Sequence, residues 1–139
     1  AQGKTRVVAV SVLTSLEQAD LDATGHRAPL AEVVRDRCLL ARACGLDGVV
    51  LSPRELALVR DFPAEFLRVT PGIRPTGGVA DDQRRTLCAA AAVAAGATVL
   101  VVGRPIVAAP DPRTAALAML AEIEEAARTC AGGAHAATA

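Results

Sequence analysis

Four short apolar runs, separated by segments of helical period, constrain this chain of 139 residues more than any other feature. They are Val7 to Leu13, Asp47 to Leu51, Phe66 to Val69 and Thr98 to Val102, each rich in β-branched residues and nearly continuous rather than alternating. Alternation marks a strand with one wet face; near-continuous apolarity marks a parallel strand covered on both faces. Parallel neighbours need a crossover of a dozen or more residues, usually a helix. Pro29 to Cys44 supplies one, with Leu30, Val33, Val34, Cys38 and Ala41 along one stripe and Gly45 standing at C′. Ser52-Pro53-Arg54-Glu55 reads as a capping box with Pro at N1, opening a helix that carries Leu56 and Val59. Ser15, with Gln18 at N3, is expected to cap a shorter one. Asp82 to Ala95 reads as a helix stopped by Gly96, and Asp111-Pro112 opens a last helix through Arg128. The order is strand then helix, about four times, so the chain is α/β.

Composition narrows the function classes. Fifteen basic residues balance fifteen acidic ones, leaving no charge excess to draw nucleic acid or a membrane surface. No run approaches the ~20 apolar residues of a membrane span, so a cytoplasmic location is expected. Cys38, Cys44, Cys88 and Cys130 form no Cys-x-x-Cys pair, and His26 and His135 lack ligand spacing. Small, reduced, partly buried thiols are expected rather than a metal or disulfide framework. The chain has no Trp or Tyr to stack on bases. Fourteen of the basic residues are Arg, and Lys4 is the sole Lys.

Two architectures fit four strand-helix units. An open doubly wound sheet would suffice at this length; the other is half of a (β/α)8 barrel, which takes about 250 residues when closed. The first strand lacks a Gly-x-Gly-x-x-Gly turn, and the anion-binding signals lie beyond the last two strands, which favours the barrel. Val69-Thr70-Pro71-Gly72-Ile73-Arg74-Pro75 and Val102-Gly103-Arg104-Pro105 each place a Gly and an Arg just after an apolar run. Gly lets backbone approach an anion closely, and Arg makes bidentate, charge-assisted contacts to it. Gly72 to Asp82 is polar, with Gly77-Gly78 able to hinge as a lid. Gln83 then opens a helix, where N–H groups favour an anion. Arg84 and Arg85 read as surface residues, and Asp20 with Asp22 as a solvated pair. Thr14 ends the first strand at the barrel mouth, where its hydroxyl could meet a ligand base.

Five motifs agree in order and spacing with one family: Val10-Ser11-Val12-Leu13-Thr14-Ser15, Cys44-Gly45-Leu46-Asp47-Gly48-Val49-Val50, Val69 to Pro75, Asp82-Gln83-Arg84-Arg85, and Val102-Gly103-Arg104-Pro105-Ile106. Together they resemble the C-terminal half of bacterial orotidine 5′-phosphate decarboxylase, from about Val7 to the last helix. The resemblance implies residues 1–130 as the last four units of a dimeric (β/α)8 barrel, with a flexible Gly/Ala-rich tail over 131–139. It implies conversion of orotidine 5′-monophosphate to UMP and CO2 without metal or cofactor. Thr14 resembles the residue beside the pyrimidine, and Arg74, Gln83, Gly103 and Arg104 the phosphate-side residues; Pro71 resembles a residue lining the base pocket. The family's Asp-x-Lys-x-x-Asp motif has no counterpart in this sequence, so no catalytic residue is assigned and the isolated chain is expected to be inactive. A homo-oligomer or a missing N-terminal half-barrel is the expected partner. Two other readings stay open: a sugar-phosphate enzyme of a related barrel, and a non-catalytic half-barrel that self-associates and keeps its phosphate grip.

Overall fold

Each apolar run does become a strand, though shorter than the run itself. The computed structural model describes residues 5–74 and 87–135, with the side chains of 129–135 left aside. Strands β1 (Val8–Val10), β2 (Gly48–Val50), β3 (Leu67–Thr70) and β6 (Val99–Leu100) form one sheet in the order β1-β2-β3-β6, parallel throughout. A second, two-stranded parallel pair joins β4 (Ile73–Arg74) to β5 (Leu87–Cys88). The order of the main sheet never reverses, so it has no topological switch point, and the doubly wound alternative is set aside.

Helix α2 (Leu30–Ala43) ends as its sequence requires, with Gly45 at φ 72° in the left-handed region. The Ser52 box forms: the Ser52 N–H donates to Glu55 Oε2 at 3.1 Å, and the Arg54 N–H donates to Ser52 Oγ at 3.3 Å. It opens a 3-10 helix over Pro53–Val59 rather than an α-helix. The Ser15 box does not form. The cap of α1 (Gln18–Ala23) is Glu17, whose N–H donates to Asp20 Oδ2 at 2.7 Å. Gln18 instead bridges outward, its Nε2 donating to Asp22 Oδ1 at 2.8 Å and its Oε1 accepting from the Leu30 N–H at 2.6 Å. Asp20 and Asp22 thus cap and tie the α1 region through hydrogen bonds exposed to solvent, in keeping with the solvated pair expected.

Leu87-Cys88 departs from the helix expected over Asp82 to Ala95, because their backbone pairs with Ile73-Arg74. Helix α3 covers only Ala89–Ala94, before Gly96 at φ 102°. A four-residue helix α4 (Arg104–Val107) precedes α5 (Pro112–His135). Asp111 caps α5, accepting from the Arg113 and Thr114 N–H groups at 3.0 and 3.2 Å and from Thr114 Oγ1 at 2.6 Å. These bonds hold its carboxyl below the usual range. The α5 backbone runs seven residues past Arg128, through Gly132-Gly133, so a helix enters the segment read as tail; each Gly costs about 1 kcal/mol there relative to Ala.

The helices lie on one face of the sheet. Val49 and Leu51 pack there with Val34, Cys38, Leu56, Val59 and the edge-to-face pair Phe62–Phe66, whose centroids are 5.3 Å apart. Burial pushes the Cys38 thiol up to about 11, which keeps it neutral among these side chains. The other face is different. Val10, Val50, Val69 and Val99 stand opposite one another across all four strands, and Val10 and Val99 are 56% and 40% exposed. That valine row occupies the place of a barrel's interior, which in a closed barrel is packed with branched side chains.

Two polar ties close the helical layer and carry predictions. Arg68 lies in β3 yet is buried; its Nη2 donates to the carbonyls of Phe62 and Pro63 at 2.8 and 3.2 Å, and its Nε to that of Val59 at 3.5 Å. Arg68→Met would strand those carbonyls, and at roughly 1–3 kcal/mol per buried unmade group the loss of stability should reach about 3 kcal/mol. Urea unfolding of the full-length protein checks this; a loss under about 0.5 kcal/mol would mean that water replaces the guanidinium.

Arg35 grips Asp61 with both nitrogens, at 2.6 and 2.8 Å, and also donates to the Leu58 carbonyl. The hydrogen bond from Arg35 holds the Asp61 carboxyl down at about 2. The folded value lies below the unfolded one, so the bridge's contribution is whole above about pH 4 and is lost as pH falls through about 2. Asp61→Asn should therefore lower the thermal midpoint near neutrality, with the gap to wild type closing as pH falls from 4 to 2. A gap independent of pH would refute the assignment.

Candidate functional site

All four strands of the sheet run the same way, so the segments after β1, β2, β3 and β6 emerge at one end, where (β/α) barrels carry their active sites. Beyond β3, Pro71-Gly72 turns the chain with Gly72 at φ 80°, a conformation that side-chain-bearing residues rarely adopt. Ile73 comes next, fully buried against Ala89, Ala92 and Met119, and so fixes where its neighbour starts. That neighbour is Arg74. Its Nη1 donates to the Ile73 carbonyl at 3.1 Å; its Nη2 is buried and has no hydrogen-bond partner among the described residues.

An unmet guanidinium nitrogen costs free energy unless something anionic meets it. Beside it, β6 continues the ladder, with the Val101 N–H donating to the Thr70 carbonyl at 3.0 Å. The chain then turns at Gly103 and enters α4 at Arg104, where Ile106 and Val107 N–H groups donate to the Gly103 carbonyl at 2.9 and 3.1 Å. Because β3 and β6 are paired, these two exits are neighbours, and Pro71, Gly72, Arg74, Val101, Gly103 and Arg104 line one cleft of about 250 Å³. A Cβ added at Gly103 would meet nothing within 4 Å, so the backbone there faces open space that a ligand can enter. Two cations and an open Gly backbone converge on a volume suited to a small anion.

The cleft unites Arg74, Gly103 and Arg104 of the sequence-derived residues, together with Pro71. Gln83 and the Gly77-Gly78 segment lie outside the described residues. Thr14 is buried, 8% exposed, and does not end the first strand: β1 stops at Val10 and Thr14 sits in the turn beyond it, on the β1 side of the sheet, three strand spacings or roughly 14 Å from β6. It lines no part of the cleft. Among the described residues no group of His, Cys, Asp and Glu is placed to hold a metal ion, and no helix is long and apolar enough to cross a membrane. Two arginines escaped the sequence reading. Arg68 was visible as a charge inside an apolar run; Arg37, whose Nη1 donates to the Ser11 carbonyl at 2.7 Å, gave no signal, because helical spacing does not say which carbonyl a long side chain meets.

The sheet order and the position of the cleft at its carboxyl end define the chain as part of a (β/α)-barrel protein. The family model described as Orotidine 5'-phosphate decarboxylase / HUMPS family matches residues 1–119, and the chain belongs to that family. The orotidine 5'-phosphate decarboxylase of Halorhodospira halophila is 53% identical over 127 residues, covering 91% of this chain and 54% of its own length. That of Afipia carboxidovorans is 50% identical over 119 residues, covering 85% of this chain and 51% of its own. Among solved structures, orotidine 5'-phosphate decarboxylase from Lactobacillus acidophilus matches with a TM-score of 0.72 at 35% identity, covering 87% of this chain and 50% of that one. The enzyme from Pyrococcus horikoshii OT3 gives 0.61 at 27% identity, with 86% and 51% covered. The chain spans about half the length of the relatives it matches.

Proposed function

We propose that this chain is the phosphate- and base-binding half of an orotidine 5′-phosphate decarboxylase, which turns orotidine 5′-monophosphate into UMP and CO2. The observation that carries the reading is the cleft at the carboxyl end of the sheet that Arg74, Gly103 and Arg104 line together, in a chain about half identical to named decarboxylases. In this reading Arg74 and Arg104 clasp the phosphate, Gly103 lets it approach the backbone, Gln83 adds a polar contact, and Thr14 meets the pyrimidine from the β1 side. Holding a remote phosphate contributes to catalysis when that binding energy is used to close and dry the reacting centre.

Cleavage of the carbon–carbon bond leaves a carbanion that must be protonated, and the carboxylate that departs must be crowded. The sequence has no Asp-x-Lys-x-x-Asp, and its sole lysine is Lys4. The proton donor and the carboxylates therefore come from outside this chain, from an N-terminal half-barrel that also covers the valine row. The exposed row gives a second reading some weight: copies of this chain could cover each other's open faces and keep the phosphate grip without catalysis.

The test uses the full-length protein that contains this segment. UMP, which carries the same phosphate, should raise its thermal midpoint in a concentration-dependent way, since about 2.7 kcal/mol of stabilisation accompanies ligand at 100 times its Kd. Absence of any shift at millimolar UMP would reject the reading. Binding of a pentulose or hexulose phosphate in preference to UMP would reassign the cleft to sugar phosphates.

A further inference from the structure

Strand β1 stops at Val10, and the carbonyls at its exit are satisfied in an unusual way. The Ser11 N–H and Ser11 Oγ both donate to the Val50 carbonyl, at 3.1 and 2.9 Å. The next rung of a parallel ladder would have the Ser52 N–H donate to the Ser11 carbonyl. Ser52 is instead committed to the 3-10 helix, its N–H turned to Glu55 Oε2. The acceptor that the ladder gives up is taken by Arg37, which reaches across from α2 with Nη1 at 2.7 Å from the Ser11 oxygen. Val12 then inserts into the core at 2% exposure, the Leu16 N–H donates to the Leu13 carbonyl at 3.0 Å, and Thr14 sits inside that turn. One end of the turn is held by Val12, and its entry by the guanidinium.

We propose that Arg37 is a positioning residue: by fixing the Ser11 carbonyl at the exit of β1, it sets the placement of Thr14 and hence the affinity for the nucleotide's base, without touching the phosphate grip. The proposal rests on Thr14 facing the base. Arg37 acts at β1, the edge of the sheet opposite β6, so its loss should separate base recognition from phosphate recognition.

Calorimetric titration of the full-length protein with UMP and with ribose 5-phosphate, which has the phosphate but no base, reads that separation. Arg37→Met should weaken UMP about tenfold, the effect of losing one charge-assisted hydrogen bond, while ribose 5-phosphate stays within about twofold. Arg37→Lys, which keeps a charged donor, should recover most of the UMP affinity. Equal losses for both ligands, an unchanged UMP affinity, or no recovery with Lys would overturn the role of Arg37. If Arg37→Met fails to fold, Arg37→Gln takes its place in the comparison, with Arg37→Lys still the rescue. A wild-type protein that binds UMP no better than ribose 5-phosphate would overturn the reading of Thr14 itself, and this proposal with it.

Discussion

Replacing Arg74 by methionine in the full-length protein is expected to weaken UMP binding by roughly 10- to 100-fold while leaving the unliganded protein as stable as wild type or more so. The two effects have one origin. The Arg74 Nη2 is buried without a partner among the described residues, so the free protein carries a desolvation cost that a phosphate would relieve. Methionine keeps an unbranched stem of similar reach and removes the cost and the grip together. Arg104→Ala should lose affinity over the same range, but Arg104 is exposed, so its effect on thermal stability should stay within about 0.5 kcal/mol. Titration calorimetry with UMP, alongside thermal unfolding without ligand, measures both quantities. If Arg74→Met destabilises the free protein by more than about 2 kcal/mol, the guanidinium is structural and the phosphate reading of the cleft fails.

The largest expected effect on folding comes from a single methyl group. A Cβ on Gly48 would stand 2.4 Å from both the Cβ and the carbonyl oxygen of Leu67, which are parts of the facing strand rather than the tip of a flexible side chain. β2 and β3 would have to separate at the centre of the sheet, and no rotamer change can help. Overpacking of this kind costs about 1–3 kcal/mol even where side chains can move, and Gly48→Ala should lie at or above the top of that range. Loss of soluble full-length protein, or a fall of that size in urea unfolding, is the expected result; a variant within about 0.5 kcal/mol of wild type would show that the strands are not so closely apposed.

Much of this was legible in the sequence because it depends on local chemistry. The four apolar runs needed only their β-branched composition to be read as buried parallel strands, and Gly45, Ser52-Glu55 and Asp111 mark helix ends through groups that act within three residues of themselves. What the sequence did not reveal depends on distance. Ser15 begins a plausible capping box by sequence, but Glu17 is the cap, and Gln18 is engaged instead by the Leu30 N–H, twelve residues on. Leu87-Cys88 has helix-forming neighbours but pairs with Ile73-Arg74. Arg68, a charge inside an apolar run, is accommodated by three carbonyls from the preceding segment, which no local pattern announces. In the cleft, Gly72, Arg74, Gly103 and Arg104 could each be named from a short motif, whereas their convergence requires that β3 and β6, thirty residues apart, be neighbours.

The unreversed strand order also has a kinetic side. The three pairings of the sheet join positions separated by 40, 19 and 30 residues. Loop-closure entropy grows only with the logarithm of length, so the longest of these closures costs about 0.7 kcal/mol more than the shortest. No pairing is much harder to reach than another, and every hydrogen-bonded ladder in the sheet can zip up using residues of this chain alone. The backbone of the four-stranded sheet can therefore assemble with its valine row still open, so that covering the row is no condition for forming any of its ladders.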